Sequence, residues 1–547
     1  MARPTFPWRL PPGGYDGHQA VGDLVRYRAE QSGDSRLFVL QDEAPLSATD
    51  VYQGSLSVAS LLIRNGFGPG ERITVMLPNC AANLLVQYGI SLAGLIEVPI
   101  HNEYRGPWLE HVLNVTEPKA LVIHADLAER LSFFKSDDAA WPESIEAIWV
   151  VGEEDDESAW SLDDLPTRAA FLDDVLAESD GGAPTLPRVE ETDPAYILFT
   201  SGTTGRSKGA LLSHRAALSL ANEVVETVGY TDSDAMYTAF PLFHASAKFT
   251  AAMVSLVSGA KSVIHPKFTA SGVWDICRAE NVTGFTYVGA MLAQIWKQPP
   301  RDDDTDNPVR RAWGAPAPVE FAADFEKRFD IELIEVYGST EVGPAMHMRF
   351  EEEKTFGTCG REVSHYEVEL HDDDGLPVPV GVEGEIVVRP KIPSVLFDRY
   401  WGMPDETVAA WQNLWFHTGD IGRKDDKGNF TYVDRKKDTI RRRGENVSSF
   451  ELERILMKHD AVQMAAAYGV PSELGEDDIM VAVLLAPDLA LDPGELIEYC
   501  EPLVPRFAVP RYVRFVEDLP MTPSGRVQKY RLREEALTPD AWDREAE

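Results

Sequence analysis

Little in this chain points toward disulfides, metal, membrane or nucleic acid. Its 547 residues hold four cysteines, Cys80, Cys277, Cys359 and Cys500, with no Cys-x-x-Cys pair and no metal-like spacing. They read as reduced, separately packed thiols of a cytosolic protein rather than as a disulfide framework. The twelve histidines form no His-Glu-x-x-His pair, so a zinc centre of that kind is not expected. No apolar run approaches the roughly 18 residues that a membrane-spanning helix needs. The opening MARPTFPWRLPPGG lacks the apolar stretch of a secretory signal, so none is expected. Positive charge is scarce: 51 Lys and Arg stand against 89 Asp and Glu, a net charge of −38. A field of that sign argues against nucleic acid or an anionic membrane as partner. The acids are spread in short clusters such as EEDDE (153–157) and DDD (302–304), which describes a solvated surface rather than an acidic tail.

What is present is a chain long enough for a large core and more than one domain, 44% hydrophobic and 26% charged as ordinary globular proteins are. Short apolar strands at 73–77, 97–100, 120–124 and 147–151 alternate with helical stretches such as 82–95. The rhythm resumes with a helix near 214–228, strand 261–265, helix 271–280, strand 284–288, helix 319–328 and strand 331–336. Alternation of this kind predicts α/β layers with largely buried parallel strands. Residues 153–190 are acidic and Pro/Gly-bearing and read as an exposed connection. From about residue 358 the segments become shorter and β-like, separated by turns such as DDDGLP (372–377), which predicts a smaller β-rich subdomain. After Asp434–Asp438 the pattern becomes a compact α+β module of about a hundred residues.

The most informative stretch is YILFTSGTTGRSKGALLSH at 196–214. An apolar β-rich run leads into Thr200, Ser201, Gly202, Thr203, Thr204, Gly205, Arg206, Ser207, Lys208 and Gly209. The glycines let the main chain turn tightly, so that its N–H groups can converge on an anion. The hydroxyls and the two cations, Arg206 and Lys208, supply further donors suited to phosphate oxygens. No Gly-Lys-Ser/Thr follows Gly205, so this is a phosphate loop but not a Walker A loop.

The loop resembles the nucleotide signature of adenylate-forming enzymes: acyl-CoA synthetases, peptide-synthetase adenylation domains and luciferases. The resemblance extends through VMLPN (75–79), FPLFH (240–244), WGAPAP (313–318), VYGSTEVG (336–343), GEIVVRP (384–390), WFHTGD (415–420), DRKKDTIRRRGENVSS (434–449) and TPSGRVQKYRLR (522–533), all in the family's order. The stretch from Phe285 to Gly343 is most similar to the carnitine/crotonobetaine CoA ligase branch. The resemblance implies an α/β fold: a large N-terminal AMP-binding domain (1–434) of two layered α/β subdomains plus a β-rich subdomain. A hinge (435–438) at Lys437 and a small mobile α+β lid (439–547) complete it.

It also implies roles. The loop Thr200–Gly209 would hold the outer phosphates of ATP, with Lys208 among its donors. Glu341 matches the acid that associates with Mg²⁺, and Thr340 beside it would bond the α-phosphate. Tyr337, followed by Gly338, offers a ring face to adenine, and Gly314, Ala315 and Pro316 let backbone approach the base. Asp420 can accept from the ribose hydroxyls, with Arg435 adding a donor. His244 is expected near the acyl pocket as a gate or orienting group, since a carboxylate nucleophile needs no deprotonation at neutral pH. Val288, Gly289, Trp313 and Val342 are candidate pocket walls. Lys248, beside an apolar stretch, either pairs with a second anionic group on the substrate or reaches out to solvent.

One position departs from the family. Its C-terminal motif carries Lys directly after Ser-Gly, where this chain has Arg526, with Lys529 three positions on. Arg keeps the charge but is bulkier; Arg526 is expected to serve, with Lys529 as the alternative. The expected activity is ATP-dependent formation of an acyl-adenylate from a small carboxylic acid, pyrophosphate leaving, then transfer to coenzyme A. Three other readings stay open: loading of a carrier protein, nitrite-dependent diazotisation of an aryl amine, and a non-catalytic ATP-binding paralogue. Homodimerisation is left open as well.

Overall fold

A computed structural model describes residues 20–546 apart from 136–139, 154–159, 179–183, 201–206, 318, 320, 351, 373, 436–438, 473–474, 488, 521–526 and 528. The described chain divides into two compact units. The first takes residues up to Asn102, Leu113–Leu198 and Gly209–Val433; the second takes Glu103–Val112, Phe199–Lys208 and the chain from Asp434 onward.

The first unit is built on parallel strands. In one sheet Ala235–Thr238, Lys261–Ile264, Gly284–Val288, Arg311–Ala315 and Glu332–Ser339 run parallel, in the spatial order 261–264, 235–238, 284–288, 311–315, 332–339. In a second sheet Arg72–Met76, Ile96–Pro99, Ala120–His124, Ala147–Val151 and Ala169–Phe171 do the same. These strands are buried on both faces, which is why they read as continuous apolar runs rather than as alternation. The β-rich subdomain is an antiparallel sheet of Tyr366–His371, Glu383–Pro390 and Trp415–Lys424, to which Phe430–Arg435 pairs. The helix His214–Val228 forms where expected. Ser213 caps it by accepting from the Ala216 N–H, and Gly229 ends it at φ 69°, a conformation glycine adopts without strain.

The second unit carries the hairpin Thr439–Arg442/Glu445–Ser448 and a sheet of Val462–Pro471, Asp477–Leu485, Tyr512–Val516 and Trp542–Asp543. Helices Ser449–Leu456, Pro493–Cys500 and Lys529–Glu534 accompany them. Arg442 is 2% exposed; its guanidinium donates to the Val509 carbonyl at 2.5 Å and faces Asp478. The four cysteines are unpaired, and burial pushes each thiol up to about 12.

Lys248 corrects one expectation. It does not reach solvent: the side chain is fully buried, on a wide π-type turn over Lys248–Ala252. Its ammonium lies 2.8 Å from Glu97 Oε1 and 2.8 Å from Gln87 Oε1, and Glu97 is equally buried. Burial pushes the Glu97 carboxyl up and the Lys248 ammonium down, and each charge works against that shift in the other. The pair joins the strand Ile96–Pro99 to the helical segment that follows His244. Removing one partner leaves a buried charge uncompensated, so Lys248→Met is expected to destabilise the first unit by about 3–5 kcal/mol. Adding Glu97→Gln should recover most of that loss. Thermal unfolding of the single and double variants tests this; a double variant no more stable than Lys248→Met would contradict it.

Candidate active site

Strands of the first sheet end at Thr238, Val288, Ala315 and Ser339, and the turns beyond them carry most of the predicted residues of the first unit. Open α/β sheets present their ligand sites in the crevice at this edge. Asn79, at the end of VMLPN, sits there as a clasp. Its amide NH₂ donates to the carbonyls of Phe240 (3.0 Å) and His265 (2.9 Å), and its carbonyl accepts from the Leu242 N–H (2.8 Å). The FPLFH loop is thereby hung from the neighbouring sheet. His244 ends that loop, and its backbone carbonyl accepts from the Lys248 N–H at 2.9 Å. Its ring lies 4.9 Å from that of Phe243 and 6.1 Å, edge-on, from that of His101.

Close backbone approach defines the next strands. A Cβ at Gly314 would fall 1.9 Å from the Tyr287 carbonyl oxygen, so only glycine permits this register. Gly338 is equally constrained, 2.2 Å from the Gly343 carbonyl in the same sense. There the pairing of Glu332–Ser339 with Gly343–His347 slips by a bulge, and the tight turn it closes carries the half-buried Thr340 and Glu341 and the buried Val342. Of the candidate pocket-wall residues, Gly289 faces the Pro316 carbonyl, Trp313 is buried, and the Val342 carbonyl accepts from the Tyr366 hydroxyl at 2.6 Å.

The carboxylates of this region are each held by a named donor. The Tyr337 hydroxyl donates to Asp420 Oδ2 at 2.7 Å, and the Tyr337 ring stands 6.1 Å from that of Tyr432 at an interplanar angle of 28°. Tyr400, absent from the sequence reading, donates its hydroxyl to Glu341 Oε1 at 2.9 Å, while the Phe397 N–H holds the Glu341 carbonyl at 2.8 Å. Glu335 was also missed. It is paired across the sheet with Gly314 and is 6% exposed, and its carboxyl accepts from the Ala317 N–H. Burial outweighs that bond and pushes the carboxyl up to about 7. The chemistry suits a nucleotide and its metal. Asp420 offers an anionic acceptor beside an aromatic ring. Glu341 offers hard carboxylate oxygen, the donor type magnesium takes.

In the second unit, Thr200 ends a strand and its hydroxyl donates to the Lys208 carbonyl at 3.4 Å; Lys208 begins the next strand. Ser201, Gly202, Thr203, Thr204, Gly205 and Arg206 lie outside the described residues, as do Lys437, Arg526 and the side chain of Arg435. Lys529 is engaged within this unit, 2.6 Å from Glu453 Oε1 and 2.7 Å from the Ser449 hydroxyl. Service as the alternative to Arg526 would require breaking both contacts.

Comparison with known proteins agrees with this geometry. Residues 25–401 match the model of the AMP-binding enzyme family, and residues 451–526 match that of the AMP-binding enzyme C-terminal domain. The crotonobetaine/carnitine–CoA ligase of Salmonella heidelberg (strain SL476) is 28% identical over 480 residues, 87% of this chain and 90% of that protein. Among solved structures, a Mycobacterium tuberculosis fatty acyl CoA synthetase superposes with a TM-score of 0.68 at 25% identity, over 94% of this chain and 98% of that one. The amide bond synthetase McbA from Marinactinospora thermotolerans superposes with a TM-score of 0.81 at 23% identity, covering 94% and 99% of the two chains. The family resemblance and the α/β fold read from the sequence both hold: the chain belongs to the AMP-binding enzyme family of adenylate-forming enzymes, in its crotonobetaine/carnitine–CoA ligase-like branch.

Proposed function

We propose that this protein is an AMP-forming acid–thiol ligase. A carboxylic acid and ATP give an acyl-adenylate and pyrophosphate, and the acyl group then passes to coenzyme A. The observation that carries this reading is the crevice of the first unit. There Tyr337 with Asp420, Glu341 with Tyr400, and the glycine-lined backbone at Gly314 meet within one chain of the AMP-binding family. The relatives named as ligases or synthetases of CoA support the thiol acceptor.

Each residue has a physical task. The acid is ionised at neutral pH and needs no base, so His244 orients rather than deprotonates. Asp420, fixed by Tyr337, accepts hydroxyl hydrogens of the ribose. Thr340 donates to the phosphate where charge develops, and Thr200 and Lys208 of the second unit supply donors for the outer phosphates. Glu341 holds magnesium, which when bound neutralises phosphate charge. Arg526 takes the place of the family's lysine, and Lys437 that of the hinge. Glu335, beside the Gly314–Ala317 segment, meets the adenine edge as a hydrogen-bonding carboxyl. Its titratable neighbours do not compete: burial pushes Cys359 to about 12 and Tyr287 well above the ordinary tyrosine value.

Incubating the protein with ATP, magnesium, coenzyme A and a panel of acids should release AMP and yield a thioester. AMP without thioester would reject the coenzyme A half, and no pyrophosphate release with any acid on the panel would reject the ligase function. Glu341→Gln is expected to lower acid-dependent pyrophosphate release by about 100-fold. Tyr400→Phe, which removes one hydrogen bond to that carboxylate, should lower it by about tenfold. Equal rates in Glu341→Gln and wild type would remove Glu341 from the site.

A pH effect follows from Glu335. Its carboxyl is raised from the ordinary 4.5 to about 7, so between those values the unfolded chain releases a proton that the folded chain keeps. Stability therefore falls as pH rises through that window, by about 3 kcal/mol in all, and levels off above it. Glu335→Gln lacks this loss. Its unfolding temperature should exceed that of wild type by a few degrees at pH 8 and differ little at pH 5. A gap independent of pH would contradict the assignment.

A further inference from the structure

Beneath the crevice, three buried side chains leave two hydrogen-bond donors without an acceptor among the described residues. Thr286 and Trp313 are register partners on adjacent parallel strands, so they stand on the same face of the sheet. Trp313 belongs to the core cluster that also holds Leu242, Ala247 and Phe249, whereas Ala312, its neighbour in sequence, belongs to the cluster on the opposite side of the sheet. Exposure is 8% for Trp313, 4% for Thr286 and 0% for Thr238. The Trp313 indole N–H is buried and has no partner among the described residues. The Thr286 hydroxyl donates to the Thr238 hydroxyl at 2.8 Å, and the Phe240 N–H donates to the same oxygen at 3.2 Å. Two hydroxyls that share one hydrogen bond keep one hydrogen between them, and among the described residues no acceptor takes it. Buried donors without acceptors are uncommon in native structures.

We infer that the substrate acid supplies the missing acceptor: it carries a neutral carbonyl oxygen at its far end, bonded by the Trp313 indole N–H and the Thr238–Thr286 hydroxyl pair. This rests on the acid-activating function proposed above. Thr286 stands two residues inward of Val288, about 6–7 Å down the strand. The acceptor therefore lies several bonds from the carboxylate that reacts at the strand ends. A second carboxylate is not what this floor suits, because both donors are neutral and the Lys248 ammonium is taken by Glu97. A quaternary ammonium tail offers no acceptor at all. An alkyl tail would bury both donors unmet, and sites built to bond an oxygen discriminate strongly against analogues that lack it.

Two matched pairs test this, each exchanging only C=O for CH₂: 5-oxohexanoate against hexanoate, and 4-acetylbenzoate against 4-ethylbenzoate. Pyrophosphate release gives kcat/KM, and equilibrium binding in the presence of AMP gives the same comparison without turnover. The oxo acid is expected to exceed its alkyl partner by at least about tenfold in one or both pairs. Trp313→Phe, which keeps the ring and removes the N–H, should cut that ratio to about threefold or less. A folding defect would lower both members of a pair together and leave the ratio standing. Flat ratios in wild type, or a ratio that survives Trp313→Phe, overturn the inference. Flat ratios with active turnover leave the ligase function intact, whereas an oxo preference in binding with no pyrophosphate from any acid removes the function instead.

Discussion

The crevice depends on backbone groups at strand ends finding partners across the gap between two sheets. Loops at the carboxyl edge of a parallel sheet have no ladder to satisfy them, and unpaired buried groups are costly. Asn79 resolves three at once, binding Phe240, Leu242 and His265 from a position on the neighbouring sheet. One turn further along, Glu97 and Lys248 repeat the link with charge. The loop that presents His244 is therefore fixed at both ends to the second sheet. The orienting role proposed for His244 depends on that rigidity.

A chain of net charge −38 that handles ATP and coenzyme A must keep its own carboxylates from repelling them. The first unit does this locally and by several means. Asp420 and Glu341 each accept a tyrosine hydroxyl. Glu97 is neutralised by Lys248, and Glu335 stays protonated up to about 7. Glu223, held between His347 at 3.1 Å and His365 at 3.4 Å, is kept below the ordinary carboxylate range by those imidazoles despite its burial. The negative field is thus mostly a property of the solvated surface, where salt screens it. Within the site, the carboxylates of Asp420 and Glu341 remain, each held in place by a tyrosine hydroxyl.

Much of this was legible in the chain. The strands 120–124, 147–151 and 284–288 and the helix 214–228 fall on the residues predicted for them, because each is a bounded apolar run or an amphipathic stretch with a capping Ser and a closing Gly. The segment Ala245–Ser258 was not read as helix. Residues 247–256 are buried throughout, so no 3.6-residue alternation marks the segment, and its π-type turn breaks the spacing further. The partners of the site residues were equally invisible. Glu97 lies 151 residues from Lys248, and Tyr400 lies 59 from Glu341, separations that no local pattern encodes. A lysine beside an apolar stretch showed that something was unusual at 248, but only the fold identifies its counter-charge. The glycines at 314 and 338 show the converse. Their places in the motifs were plain, yet the reason for them is a carbonyl on an adjacent strand.

The polarity of the hydrogen-bonding groups gives the crevice a direction. Toward Tyr337 it offers acceptors, the carboxylate of Asp420 and the carboxyl of Glu335, which suit the hydroxyls of a ribose and the amino group of a purine. Toward Trp313 it offers the unpartnered hydrogens of the indole and of the Thr238–Thr286 pair among the described residues, which suit an oxygen. A ligand placed the wrong way round would bring donor against donor at one end and acceptor against acceptor at the other, with desolvated groups left unpaired at both. Orientation is then enforced by mismatch as much as by attraction. In the proposed reaction the acid takes its reactive position only when its far end is of the right polarity for the floor beneath it.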